Sequence, residues 1–143
     1  MWFTNYRHSI GRITTSGVVT DYTGPRIDYP TGIAAGPDGA LWFTNYGNSS
    51  IGRITTSGVV TNYTGPHIEY PIGIAAGPDG PLWFTITNGR NHSIGRITTT
   101  GAVTHYSSND NLGTIGIAAG PDGAMWFTCG SDAIGRITTT VTP

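Results

Sequence analysis

The chain repeats three short phrases at a nearly fixed spacing, and a sequence that does this has few architectures open to it. Trp-Phe-Thr occurs four times, at Trp2, Trp42, Trp83 and Trp126, with successive spacings of 40, 41 and 43 residues. Ile-Gly-Arg-Ile-Thr-Thr occurs four times, from Ile10, Ile51, Ile94 and Ile134, and Gly-Ile-Ala-Ala-Gly-Pro-Asp-Gly three times, at 32–39, 73–80 and 116–123. Residues 9–20 and 50–61 are the same twelve residues. Copies this alike point to recent duplication or to a deliberately repetitive chain.

Each unit reads as four short strands. Gly-Ile-Ala-Ala is the first, and its small residues suit a crowded position. Gly-Pro-Asp-Gly follows as a type I turn, with Pro and Asp in the middle and Gly last. Leu-Trp-Phe-Thr is the second strand and Ser-Ile-Gly-Arg-Ile the third. A Thr-Ser-Gly or Thr-Thr-Gly turn leads to the fourth, Val-Thr-x-Tyr. Neighbouring strand residues point to opposite faces, so Trp42 and Phe43 place aromatic rings on both sides of the sheet and each sheet needs a partner on each side. Four short strands per unit of about 41 residues predicts an all-β chain of β-propeller blades, each a four-stranded antiparallel sheet. Independent hairpins would leave those aromatics wet.

Composition narrows the function classes. All seven basic residues are Arg and the net charge is −1, so no basic stripe exists for nucleic acid or an anionic membrane surface. No apolar run is long enough to span a bilayer and no secretory leader is visible at the N-terminus, which makes the cytoplasm the default compartment. The single Cys, Cys129, excludes an intrachain disulfide.

The phrase GPDGxLWFT followed by IGRIT, Gly-x-Val-Thr-x-Tyr resembles the repeat of the streptogramin (virginiamycin B) lyase family, and the likeness covers essentially the whole chain. The resemblance implies a propeller, usually of seven blades. It also implies an active rim where Glu commonly follows Trp-Phe-Thr and His precedes Gly-Ile in some blades, supplying acid–base and magnesium-binding groups. Here the first set of positions carries Asn5, Asn45, Ile86 and Cys129, and the second Thr31, Ile72 and Ile115. Opening a lactone ring by elimination needs a general base and charge stabilisation. The matching positions cannot provide them, so the resemblance implies the scaffold and argues against the activity.

Function hides where the repeat breaks. Asp38, Asp79 and Asp122, with Arg12, Arg53, Arg96 and Arg136, recur in every copy where the position exists, which predicts turn formation and an Asp–Arg link. Only the segment between Trp-Phe-Thr and Ile-Gly-Arg varies in length. In a four-stranded meander that loop shares a rim with the link to the next blade, and binding loops concentrate where a rigid scaffold tolerates variation. The candidates on that rim are Arg26, Asp28, Asn45, Arg90, His92, Asn109, Asp110 and Cys129, beside Arg7, His8 and Asp132. His67 and Glu69 are the catalytic candidates: with one residue between them, an extended chain puts both on one face as an acid–base or metal pair. A solvated loop pair is the simpler reading, as an ordinary surface residue is for His8 and His92. Cys129 reads as a small buried residue rather than a nucleophile, since no base is identifiable beside it.

Counting strands gives about four blades in a single domain over 1–143. An incomplete first blade at 1–31 lacks its innermost strand, blades follow at 32–72 and 73–115, and the last, 116–143, has a truncated outer strand. Such an arc exposes a hydrophobic blade face at each end, and closed rings remove such faces. The expectation is a partial propeller that closes by homo-oligomerisation, as a homodimer, with a homotrimer or a monomeric fragment as alternatives. The function expected is a non-catalytic repeat scaffold without cofactor. The alternative is a lyase-like enzyme using magnesium on the variable rim.

Overall fold

The computed structural model describes residues 1–88, 91–107, 113–130 and 132–139, leaving out the side chains of Asn91 and His92. Fourteen strands form four antiparallel sheets, each ordered as in the sequence. The first sheet holds β1 (Trp2–Asn5), β2 (Ser9–Ile13) and β3 (Val19–Thr23). The second holds β4 (Pro30–Ala35), β5 (Leu41–Asn45), β6 (Ser50–Ile54) and β7 (Val60–Tyr63). The third holds β8 (Pro71–Ala76), β9 (Leu82–Asn88), β10 (Asn91–Ile97) and β11 (Val103–Ser107). The fourth holds β12 (Thr114–Ala119), β13 (Ala124–Cys129) and β14 (Ala133–Thr138). The middle sheets carry the full four-strand unit and the first has no counterpart of β4. The outer strand expected from Val141 lies outside the described residues. The strands β4, β8 and β12 touch in succession, which is the inner ring of a propeller arc. Among the described residues no helix is long and apolar enough to cross a membrane.

The first strand is longer than Gly-Ile-Ala-Ala and is bulged. Pro30 pairs with Asn45 and Ile33 with Phe43, so the strand gains one residue between them. The physical reason is the threonine of Trp-Phe-Thr. Its hydroxyl enters the bulge and accepts the backbone N–H of Gly32 at 2.8 Å, as Thr85 does for Gly73 at 2.8 Å and Thr128 for Gly116 at 2.9 Å. The same hydroxyl donates to the next blade: Thr44 to the Ile72 carbonyl at 2.7 Å and Thr85 to the Ile115 carbonyl at 2.9 Å. A Cβ on Gly73 would sit 2.5 Å from that Ile115 oxygen, so only glycine lets the two inner strands approach this closely.

Between blades, the Trp face of one sheet meets the Phe face of the next. Trp42, Ile51 and Tyr63 of the second sheet pack with Leu82, Phe84, Ile97 and Val103 of the third. Trp83, Ile94 and Tyr106 of the third pack with Met125, Ile117, Phe127 and Ile137 of the fourth. Trp2, Ile10 and Tyr22 of the first pack with Leu41, Phe43, Ile54 and Val60 of the second. The links add Ile27 and Ile68, 2% and 1% exposed, to these seams. Trp42, Phe43, Trp83 and Phe84 are all completely buried.

At the turn rim Trp42 and Trp83 are each clamped on three sides, and Trp126 shares two of the three partners. Tyr63 stacks on Trp42 at 5.3 Å and Tyr106 on Trp83 at 5.5 Å. Arg53, Arg96 and Arg136 lie over the rings of Trp42, Trp83 and Trp126. The turn aspartate joins both partners. Asp38 accepts Trp42 Nε1–H at 3.0 Å and pairs with Arg53 Nε at 2.6 Å. Asp79 and Asp122 repeat the arrangement with Trp83 and Arg96, and with Trp126 and Arg136. The Asp–Arg link predicted from the repeat is therefore present, and it lies within each blade. Burial pushes the Asp38 carboxyl upward, but the hydrogen bonds from Trp42 and Arg53 outweigh it and hold the pKa below the ordinary 3.8. The bonds from Trp126 and Arg136 bring Asp122 down to about 2.

Two outcomes follow. The Phe43 ring lies directly over Gly52, where an added Cβ has no room. Gly52→Ala is expected to lower the unfolding free energy by about 1–3 kcal/mol in urea titration. Asp38 and Asp122 are easier to ionise folded than unfolded, so their contribution is complete above about pH 4. It fades as pH falls towards the folded value of about 2 for Asp122. Asp122→Asn is expected to flatten that acid limb when thermal midpoints are compared across the range.

Candidate functional site

Opposite the aspartate turns, the β5–β6 loop and the ends of β9 and β13 meet the links between sheets, as the meander predicts. Tyr46 N–H donates to the Tyr29 carbonyl and Gly47 N–H to the Asp28 carbonyl, both at 3.1 Å. Thr87 N–H reaches Tyr70 O at 3.3 Å and Gly130 N–H reaches Gly113 O at 2.6 Å. The centre of the first junction is Asn45, which is fully buried. Its Nδ2 donates to the Arg26 carbonyl at 2.9 Å and to Ser50 Oγ at 3.0 Å, and its Oδ1 accepts Asp28 N–H at 3.1 Å. An amide with every strong bond used internally is a strut.

The other predicted residues fall into separate places. The Asp28 carboxylate sits 3.1 Å from His8 Nδ1. Arg26 Nη1 donates to the Val60 carbonyl at 3.2 Å, which ties the first link to the outer strand of the second sheet. His67, the matching residue of the second link, stacks on His105 of β11 with ring centroids 4.9 Å apart. Glu69 accepts a hydrogen bond from Asn88 Nδ2. The link between them is not extended: Ile68 N–H closes a turn on the Gly65 carbonyl at 3.1 Å and buries the Ile68 side chain. The one-face argument for His67 and Glu69 therefore fails on its premise, and no ion pair within 4.0 Å joins them among the described residues. Both nevertheless act on His105. Burial lowers its pKa below the ordinary 6.5, the neighbouring His67 lowers it further, and Glu69 opposes them. Cys129 is a buried free thiol. Arg90, Asn109 and Asp110 lie outside the described residues, as does the side chain of His92. No cluster of three or more His, Cys, Asp or Glu with metal-holding geometry occurs among the described residues.

The feature that sequence reasoning missed is aromatic. Tyr6 meets Tyr29 edge-on at 5.3 Å, His8 meets the same ring at 4.8 Å, and Tyr46 meets Tyr70 at 5.3 Å. All four tyrosines are exposed, between 37% and 63%. Among the described residues, those other than glycine with positive φ also lie on this rim: His8, Tyr29, Ser49, Tyr70 and Asp132. Tyr29 and Tyr70 hold φ of 46° and 44°, a conformation that costs about 1–3 kcal/mol for a bulky residue. The signal was present in the sequence as Thr-Asn-Tyr after Trp-Phe and Tyr before Pro, repeated in two consecutive units, and it passed as ordinary repeat.

The sequence pattern of the virginiamycin B lyase family matches residues 1–142. The chain belongs to that family. A catalytically inactive virginiamycin B lyase from Staphylococcus aureus with quinupristin superposes with a TM-score of 0.89 at 42% identity, over 97% of this chain and 48% of that one. A streptogramin B lyase structure matches equally, with a TM-score of 0.89 and 42% identity over 99% and 48%. A Kuenenia stuttgartiensis hydrazine synthase, 20% identical with a TM-score of 0.80, shares the fold over 96% of this chain and 42% of its own. A search of curated proteins gave no match. The chain spans about half the length of the two lyases.

Of the positions after Trp-Phe-Thr, Asn45 braces the link, Ile86 and Cys129 are buried, and Asn5 is exposed. Before Gly-Ile, the Thr31 hydroxyl lies 3.0 Å from the Ile72 carbonyl across the blade seam. In the third sheet His105 is the titratable rim-side group with a displaced pKa, and its unfolded form takes up a proton first, so stability falls as pH drops through about 6.5. His67→Ala is expected to raise the His105 pKa, read by NMR titration of its ring protons. An unchanged value would mean that the stacked ring has no electrostatic hold on it.

Proposed function

We propose that this chain is a non-catalytic propeller scaffold of the virginiamycin B lyase family, one that completes its ring by self-association and offers the variable rim as its binding face. The observation that carries the reading is the fate of the strand ends. Where the resemblance implies Glu, Asn45 is enclosed and spends its amide on Arg26, Asp28 and Ser50, while Ile86 and Cys129 point apolar or thiol groups into the packing. A carboxylate or imidazole base needs to stand within reach of substrate, and these positions hold neither. No cofactor enters this reading.

One observation favours the second reading, a streptogramin lyase-like enzyme with a magnesium-dependent site on the rim. His67 and Glu69 of the second link both act on His105 of β11, with a neutral imidazole favoured at His105. The reading borrows its substrate class from relatives twice as long, and magnesium enters only here.

A streptogramin B linearisation assay with and without magnesium separates the two. The expected result is no ring-opened product above the buffer rate under either condition. Turnover would overturn the scaffold reading, and its loss in His67→Ala would place the chemistry on the second link.

A further inference from the structure

The rim tyrosines form a row that the packing of the sheets does not use. The Tyr6 and Tyr29 rings meet at 5.3 Å, Tyr46 N–H bonds the Tyr29 carbonyl at 3.1 Å, and the Tyr46 and Tyr70 rings meet at 5.3 Å. None of these rings belongs to the apolar clusters between sheets. The third junction shows that the fold does without them. There Gly130 and Gly113 stand where Tyr46 and Tyr29 stand in the first junction, and the same backbone bond forms at 2.6 Å. The link position thus accepts glycine, yet it carries Tyr29 at a φ of 46° and Tyr70 at 44°. Strain kept for a side chain that the core ignores is the mark of a binding surface.

The row is held in place before any ligand arrives. Tyr70 N–H donates to Ser49 Oγ at 3.2 Å and its carbonyl accepts Thr87 N–H at 3.3 Å, so its backbone is tied on both sides. The sheets on either side of Tyr46 and Tyr70 have all four strands, and the two residues are still 37% and 47% exposed. Hydrogen-bonding groups border the rings. Each link tyrosine follows a carboxylate, Asp28 or Glu69. A Cβ on Gly47 would lie 2.6 Å from Asp28 Oδ2 and 2.8 Å from Tyr29 Cδ2, so carboxylate and ring edge border one spot. Asn48 is exposed in the same loop, and its Oδ1 accepts the Ser50 hydroxyl at 2.6 Å. That leaves its amide hydrogens for a ligand.

From this arrangement we infer that the tyrosine row binds a neutral glycan chain, its sugar rings laid on Tyr29, Tyr46 and Tyr70 and its hydroxyls bonded to Asp28, Glu69 and Asn48. The inference rests on the reading of the rim as a binding face given above and names the ligand of that face. A pyranose offers C–H groups from the face of its ring and hydroxyls around the edge, which suits rigid aromatic rings interleaved with polar side chains. The carboxylates decide against the other ligand of aromatic strips, a proline-rich peptide. A carboxylate only accepts hydrogen bonds, and proline has no N–H to give, whereas every sugar hydroxyl donates. The same two negative charges repel anionic chains. Because the rings come from successive units and lie in one row, the match is a chain of sugar units rather than a single sugar.

Titration calorimetry of the chain with cellohexaose, xylohexaose, maltohexaose and chitohexaose, and with a proline decapeptide, tests this. At least one hexasaccharide is expected to bind, and the decapeptide is not. Tyr46→Ala is expected to weaken that binding about tenfold, as loss of a central aromatic contact does. Tyr70→Gly separates ligand contact from a structural role. Glycine relieves the positive φ, so affinity is expected to fall by a similar factor while the thermal midpoint stays level or rises. Absence of hexasaccharide binding at millimolar concentration, binding of the decapeptide, an affinity unmoved in either variant, or a lowered midpoint in Tyr70→Gly would each overturn the assignment. None of these readouts involves turnover, so failure here is distinct from failure of the non-catalytic reading, which the linearisation assay decides.

Discussion

Two aromatic residues in adjacent positions of one strand cannot share a face, and the rest of this molecule follows from that restriction. Trp42 looks towards the third sheet and Phe43 towards the first. Each sheet is therefore a layer with two apolar sides, stable only between neighbours. Glycine beneath every phenylalanine and a clamp of Arg, Asp and Tyr around Trp42 and Trp83 let the two ring systems sit flat on their strands. The clamp gives the indole N–H an acceptor at the edge of the seam, so a large ring is buried without leaving a polar group unpaired.

Repetition and variation are separated by rim. The aspartate turns are nearly identical in the three units that carry them and hold the recurrent contacts of the tryptophans, whereas the loops opposite differ in length and sequence. Backbone bonds from Tyr46, Gly47, Thr87 and Gly130 anchor the strand ends on that side to the adjoining links. Tyr29 and Tyr70 stand on this braced rim with their backbone in an unfavourable conformation, held by Tyr46 and Thr87 of the sheets that follow and, for Tyr70, by Ser49 of the sheet before.

The fold was legible because its periodicity is written in large residues. Strand order, the opposition of Trp and Phe, the Asp–Arg link and the shared rim all follow from alternation and constant spacing. The bulge in β4 was not legible, because a threonine hydroxyl standing in for a backbone partner leaves no trace in an apolar pattern. Nor was the turn over Gly65–Ile68, which takes His67 out of the extended run assumed for it and Glu69. The roles of the candidate residues Asn45 and Cys129 depend on burial, which spacing does not encode. His105 escaped notice because it occupies a repeat position held elsewhere by Asp21 and Asn62, and only the approach of a neighbouring link gives it company.

The identity of residues 9–20 and 50–61 also bears on how the chain reaches this structure. The second and third strands of the first sheet have the same sequence as β6 and the start of β7, and Trp-Phe-Thr-Asn-Tyr precedes both. A folding chain thus holds two interchangeable hairpins competing for one place beside β4. The difference that sorts them is the short loop before Ser9 or Ser50 and the tether to the inner strand. Exchange of one hairpin for the other, within a chain or between chains, would keep most of the native contacts, the condition under which repeat chains misassemble.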